Sequence, residues 1–146
     1  MAWSFPLSSV LLPFDFSPES RAAVEVARSL VARDEDVHIL YVAGIPAAAD
    51  PAAIWGHIDL DTLRRNAERE LGVAIEASGR ALTGTVRIGD PAHEIVEYAN
   101  SESIPLIVIP SHGRRGLRRL LLGSVAERVL RLSTKPVFVL KPEPEA

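Results

Sequence analysis

The chain has 146 residues, 47% of them apolar and 24% charged, with a net charge of −3 and no cysteine. That length fits one domain, residues 1–146, large enough to bury a core without a disulfide or a structural metal. The cysteine count excludes a disulfide scaffold, a thiolate metal site and a cysteine nucleophile, no apolar run nears the ~20 residues of a membrane helix, and the acidic balance argues against a nucleic-acid binder.

The opening MAWSFPLSSVLLPF is apolar, but it has no basic start and Pro6 and Pro13 break it, so a cytoplasmic protein is expected rather than a secreted one. Val10–Phe14 predicts a buried strand. Ser17 and Pro18 then open a helix as cap and first residue, with Ala23, Ala27, Leu30 and Val31 on its inner stripe. Val37–Val42 predicts the second strand, followed by a Gly/Pro/Ala-rich loop. From about Asp59 to Ser78 the period is helical, with Leu60, Leu63, Ala67, Leu71, Ala74 and Ile75 on one side and Gly72 weakening the pattern. TGTVRI is the third predicted strand. Asp90 and Pro91 start the next helix, whose Ile95, Val96 and Ala99 face inward. PLIVIP is the fourth strand. SVAERVLRLST reads as the last helix, with Ser124 as its cap and Val125, Val129 and Leu132 inward. PVFVL is the fifth strand, before a polar PEPEA tail.

Five strands alternating with four helices imply an α/β fold, an open parallel five-stranded sheet with helices on both faces. Crossovers are right-handed, so the remaining freedom is strand order, and the order adopted is 3-2-1-4-5. Ligands bind such sheets beyond the carboxyl ends of the strands, where the order reverses. Here the reversal falls between the first and fourth strands, at Pro13-Phe14-Asp15 and Pro110-Ser111-His112-Gly113.

The stretch between Pro110 and Lys135 is basic, with six arginines and Lys135 against Glu127. A basic segment in an acidic protein suits a small anion better than a long polyanion. The segment carries neither a Walker nor a Rossmann glycine pattern. It does have Gly113, then nine residues, then Gly123-Ser124 opening a helix. Helix starts leave N–H groups unpaired and carry partial positive charge, and glycine lets a phosphate approach the backbone. The plainer alternative is that Gly123-Ser124 is only a helix entry.

These residues resemble the universal stress protein family. The fourth strand ends in SHG; nine residues later comes GSVAERV, and then the strand KPVFVLK. Nucleotide-binding members of that family carry G-x2-G-x9-G-[ST], matched here by Gly113 and by Gly123-Ser124. VLLPFDFSPES resembles the family's first strand and turn, including Asp15, and GDPAHEIVEYA its segment opening the third helix. The resemblance implies an adenine-nucleotide α-hydrolase-like fold and a regulatory, stress-response protein. It also implies ATP in the switch-point crevice, with Mg2+ as an optional companion. Asp15, after Pro13, would meet the adenosine end, Val42 the base, and Gly89 the ribose or phosphates. Ser111, His112, Gly113, Arg114, Gly123, Ser124 and Val125 would surround the triphosphate. One position departs from the pattern: Pro110 stands where the motif has its first glycine. Proline removes an N–H and excludes positive φ. That supports an alternative function, a dimeric interaction module of the same fold that binds no nucleotide.

Other readings of these residues stay open. Asp15 also suits an Asx turn at the first helix, Val42 plain strand core, and His112 an exposed loop. His38, His57 and His93 show no metal-ligand spacing. There is no nucleophile elbow and no paired metal-ligand motif, so the sequence describes a binder and leaves slow ATP hydrolysis open. The fifth strand is an edge, apolar on both faces. The simplest cover is the same strand, Val137–Leu140, of a second copy, so a homodimer is expected.

Overall fold

The computed structural model describes residues 2–44, 59–112 and 122–142. Its elements run β1 (Val10–Pro13), α1 (Pro18–Ser29), β2 (Val37–Gly44), α2 (Leu60–Ser78), β3 (Thr83–Gly89), α3 (Pro91–Ser101), β4 (Ile107–Pro110), α4 (Ser124–Leu132) and β5 (Val137–Leu140), with a 3-10 turn at Asp34–Asp36. The sheet order is β3-β2-β1-β4-β5, the expected one, and every pair is parallel, as the alternation of elements anticipated. Among the described residues no helix is long and apolar enough to cross a membrane.

Alternation along each strand divides the core in two. Val10, Leu12, Ile39, Leu106 and Val108 pack under Val24 and Ala27 of α1 and Ala67 and Leu71 of α2. Leu11, Leu40, Ile107 and Ile109 pack under Ile95 and Ala99 of α3 and Ala126 and Val129 of α4. The central strands are thus covered on both faces, which is why they read as unbroken apolar runs. Helix starts follow their local signals. The Ser17 hydroxyl accepts the Ser20 N–H, Asp59 caps Asp61 and Thr62, and Asp90 caps His93. α2 runs through Gly72, which lies on its exposed side with nothing within 4 Å of an added Cβ.

Two expectations for the last helix need correction. Its cap is Gly123, not Ser124: the Gly123 carbonyl already accepts the Glu127 N–H at 2.9 Å, so Ser124 is the first helical residue and is exposed. Leu132 does not face inward. It is 45% exposed in the final turn, and Ala126 takes the buried place beside Val129. Val96 of α3 is half-buried, while Tyr98, two residues on, is buried.

β5 is the edge, and Val137 and Val139 pack toward α4. The other face carries Phe138, which stays 41% exposed and stacks on Trp3 at 6.4 Å between ring centroids; Trp3 in turn stacks on Phe5 at 6.1 Å. This aromatic patch joins the N-terminal segment to the last strand.

Candidate functional site

β1 registers against β2 along its length, from Val10↔Val37 to Pro13↔Leu40, but against β4 only at Leu11↔Ile107. The reason lies in which amides face the seam. Along a parallel strand, successive residues bond alternately to the two neighbouring strands. Leu11 donates to the Leu106 carbonyl (3.0 Å) and Phe14 to that of Leu40 (2.9 Å), so Leu11 and Pro13 face β4. Ile107 donates to Pro136 (3.1 Å) and Ser111 to Leu140 (2.8 Å), so Val108 and Pro110 face β1. The donors that would extend the ladder toward the carboxyl ends are therefore Pro13 and Pro110, and neither has an N–H. The ladder between β1 and β4 therefore ends before the switch point. Pro110 itself closes β4 in strand geometry, and the positive-φ glycines among the described residues are Gly79 and Gly89. The motif's first position thus uses extended backbone that proline accepts.

On the β1 side, Asp15 forms the Asx turn. Its Oδ1 accepts the Ser17 N–H and the Ser20 hydroxyl, both at 3.0 Å. Phe16 beside it has φ of 65°, a strained conformation for a bulky residue. Edge-on packing against Phe14 (5.2 Å) and Tyr41 (4.9 Å) holds it there. Composition and periodicity carry no signal of that strain. Val42 is half-buried on the α3/α4 face. Gly89 ends β3 at φ of 154°, and a Cβ there would lie 3.0 Å from Glu94 Oε1.

On the β4 side, Ser111 is 6% exposed and its Oγ is buried without a hydrogen-bond partner among the described residues. Its carbonyl accepts the Gly123 N–H at 2.6 Å, which ties the start of α4 to the end of β4. The approach needs glycine for space, since a Cβ on Gly123 would sit 2.9 Å from that carbonyl oxygen. Gly123 brings no side-chain cap, so the first-turn amides of α4 have none from it. His112 and Val125 are half-buried nearby in sequence. Gly113, Arg114 and the remainder of the basic segment to residue 121 lie outside the described residues, as do residues 45–58.

Between the cap of α3 and α4, Asp90 and Arg128 form a bidentate pair, with Nη1 to Oδ1 at 2.6 Å and Nη2 to Oδ2 at 2.8 Å. The guanidinium holds the Asp90 carboxyl below its ordinary range, and the carboxylate raises Arg128. Sequence reasoning saw Asp90 only as a cap and missed this partner. Two shallow hollows lie elsewhere, one of about 490 Å³ between Phe16, Arg21 and α2 and one of about 460 Å³ between α2 and β3. Neither contains a residue of the switch-point set. Among the described residues no three His, Asp or Glu side chains gather to hold a metal.

Comparison with known proteins follows the same lines. Residues 7–141 match the model of the universal stress protein family. The chain is 33% identical over 137 residues to universal stress protein MJ0531 of Methanocaldococcus jannaschii, covering 90% of this chain and 81% of that one. It is 30% identical over 147 residues to universal stress protein YxiE of Bacillus subtilis, covering 92% and 99%. The solved structure of hypothetical protein MJ0577 superposes with a TM-score of 0.74 at 27% identity over 95% of this chain and 99% of that one. Two more distant structures share the fold, a universal stress protein in complex with cAMP (TM-score 0.56, 21% identity, 92% and 97% covered) and one from Archaeoglobus fulgidus in complex with dAMP (TM-score 0.51, 22% identity, 90% and 95% covered).

Proposed function

This chain belongs to the universal stress protein family, and on that premise we propose that its switch-point cleft binds an adenine nucleotide, ATP, in a cytoplasmic regulatory role in stress response. The observation that carries the reading is the junction of β4 and α4. It combines a buried Ser111 hydroxyl without a partner among the described residues, a helix start without a side-chain cap, and a Gly123 that leaves no room for a side chain. Buried polar groups normally find a partner. A phosphate oxygen is a fitting one, because the helix start adds N–H donors and partial positive charge.

In this reading Ser111, His112, Gly113, Arg114, Gly123, Ser124 and Val125 surround the phosphates. Asp15 meets the adenosine, Val42 flanks the base, and Gly89 lines the ribose or phosphate side. Pro13 and Pro110 border the seam. Mg2+, where present, rides on the phosphates. A micromolar site corresponds to about −8 kcal/mol, within reach of a few charge-assisted hydrogen bonds of roughly 1.5–3 kcal/mol each plus the buried base.

Two measurements test this. Freshly purified protein, denatured, should release an adenine nucleotide. ATP at about a hundred times its Kd should add roughly 2.7 kcal/mol, an upward Tm shift of about 5–10 °C. Neither release nor shift would leave the second reading, a dimeric interaction module, which the exposed Trp3, Phe5 and Phe138 patch favours.

Both readings include a homodimer through Val137–Leu140. β5 presents an edge with Phe138 and Trp3 exposed beside it, an aggregation hazard unless covered. Phe138→Asp should yield a folded monomer by light scattering at micromolar concentration. A variant of unchanged dimer mass places the interface elsewhere.

A further inference from the structure

The two halves of the sheet meet at β1 and β4, where the ladder is registered only at Leu11↔Ile107 and where prolines replace the donors toward the ligand end. The two cores span this seam and hold it by packing, and a polar tie between the halves adds to that. Gly89-Asp90 belongs to the β3 half and α4 to the β4 half. Among the described residues, Asp90–Arg128 is the one ion pair that joins them. Arg128 lies one helical turn beyond Ser124, and Asp90 directly follows Gly89, so the pair ties together the two walls on either side of the cleft. Its geometry is restrictive. Both guanidinium nitrogens engage both carboxylate oxygens, while Asp90 Oδ2 also accepts the His93 N–H at 3.1 Å and so fixes the carboxylate to α3.

We propose that Asp90 and Arg128 form a positioning clamp that sets the spacing between the Gly89 wall and the α4 start. This rests on the nucleotide reading above, since the clamp matters for a ligand that touches both walls. Neither residue need contact that ligand. At 40% and 45% side-chain exposure the pair is open to solvent, and exposed pairs contribute little to global stability. Its effect is local, on the geometry of the mouth.

Asp90→Asn separates the clamp from simple electrostatics. The amide keeps an oxygen for the His93 cap but loses the charged fork. If the charge at residue 90 acted only through its field, removing it would strengthen binding of anionic ATP. Loss of a clamp weakens it, by about two- to fivefold for an interaction of this size. Arg128→Gln should weaken ATP by a similar factor, and the double variant by no more than either alone. Amide hydrogen exchange in ligand-free protein provides a readout independent of nucleotide, with Gly89 and Gly123–Ala126 exchanging faster in Asp90→Asn while the Tm stays nearly unchanged. Wild-type protein that binds no ATP overturns the functional reading. Unchanged exchange, or Asp90→Asn binding ATP as tightly as wild type or tighter, overturns the clamp.

Discussion

Gly123→Val should abolish nucleotide binding and leave the protein folded. The Gly123 N–H lies 2.6 Å from the Ser111 carbonyl oxygen, and even a Cβ would come within 2.9 Å of that oxygen, with the His112 Cα at 3.6 Å. The atoms in the way are backbone atoms at the end of a buried strand and cannot rotate aside. Valine therefore forces α4 away from β4, breaks the Gly123–Ser111 hydrogen bond and displaces the first-turn amides together. Losing two charge-assisted bonds to phosphate, at about 1.5–3 kcal/mol each, lowers affinity by roughly 100-fold or more. Overpacking at one helix end should cost about 1–3 kcal/mol, so the far-ultraviolet circular dichroism stays native. Isothermal titration with ATP reads the first effect and thermal melting the second. Wild-type affinity in this variant would remove the β4–α4 junction from the binding site.

Ile107→Ala should produce the largest loss of stability. Ile107 is fully buried, registers with Leu11 on one side and Val137 on the other, and packs in the cluster beneath α3 and α4. It is also the one residue of β4 in register across the thin central seam. Removing its branched side chain costs transfer energy and leaves a cavity among close-packed neighbours, about 3–5 kcal/mol at such a site. That is a large fraction of the roughly 5–15 kcal/mol that holds a domain folded. Urea unfolding should show a lower midpoint with an unchanged slope. A loss below about 1 kcal/mol would mean that the core closes around the gap, contrary to the close packing described here.

The readable parts of the chain were those whose signals are local. Ser17, Asp59 and Asp90 each accept amide hydrogens two or three residues ahead, so the capping residue and its partner sit in one short window. Val10–Pro13 and Ile107–Pro110 are buried on both faces, and that burial is written as uninterrupted apolar runs. Alternation of strand and helix then leaves few topologies, because crossovers have one hand. The Asx role of Asp15 was equally local, with partners two and five residues away. Family resemblance added the site residues; of these Asp15, Ser111 and His112 follow the ends of β1 and β4, Gly89 ends β3, Val42 lies within β2, and Gly123, Ser124 and Val125 open α4.

By itself the sequence determined the elements and the parallel sheet, because backbone propensity, capping and burial act over a few residues. Only the tertiary structure decided how distant pieces meet. It put Trp3 on Phe138 and Arg128 on Asp90, shifted the α4 cap to Gly123, exposed Leu132, and set Pro13 and Pro110 on the same seam. The physical reason is that each of these depends on strand register and on the direction in which a side chain or amide leaves the backbone, and both are set by packing between segments far apart in the chain.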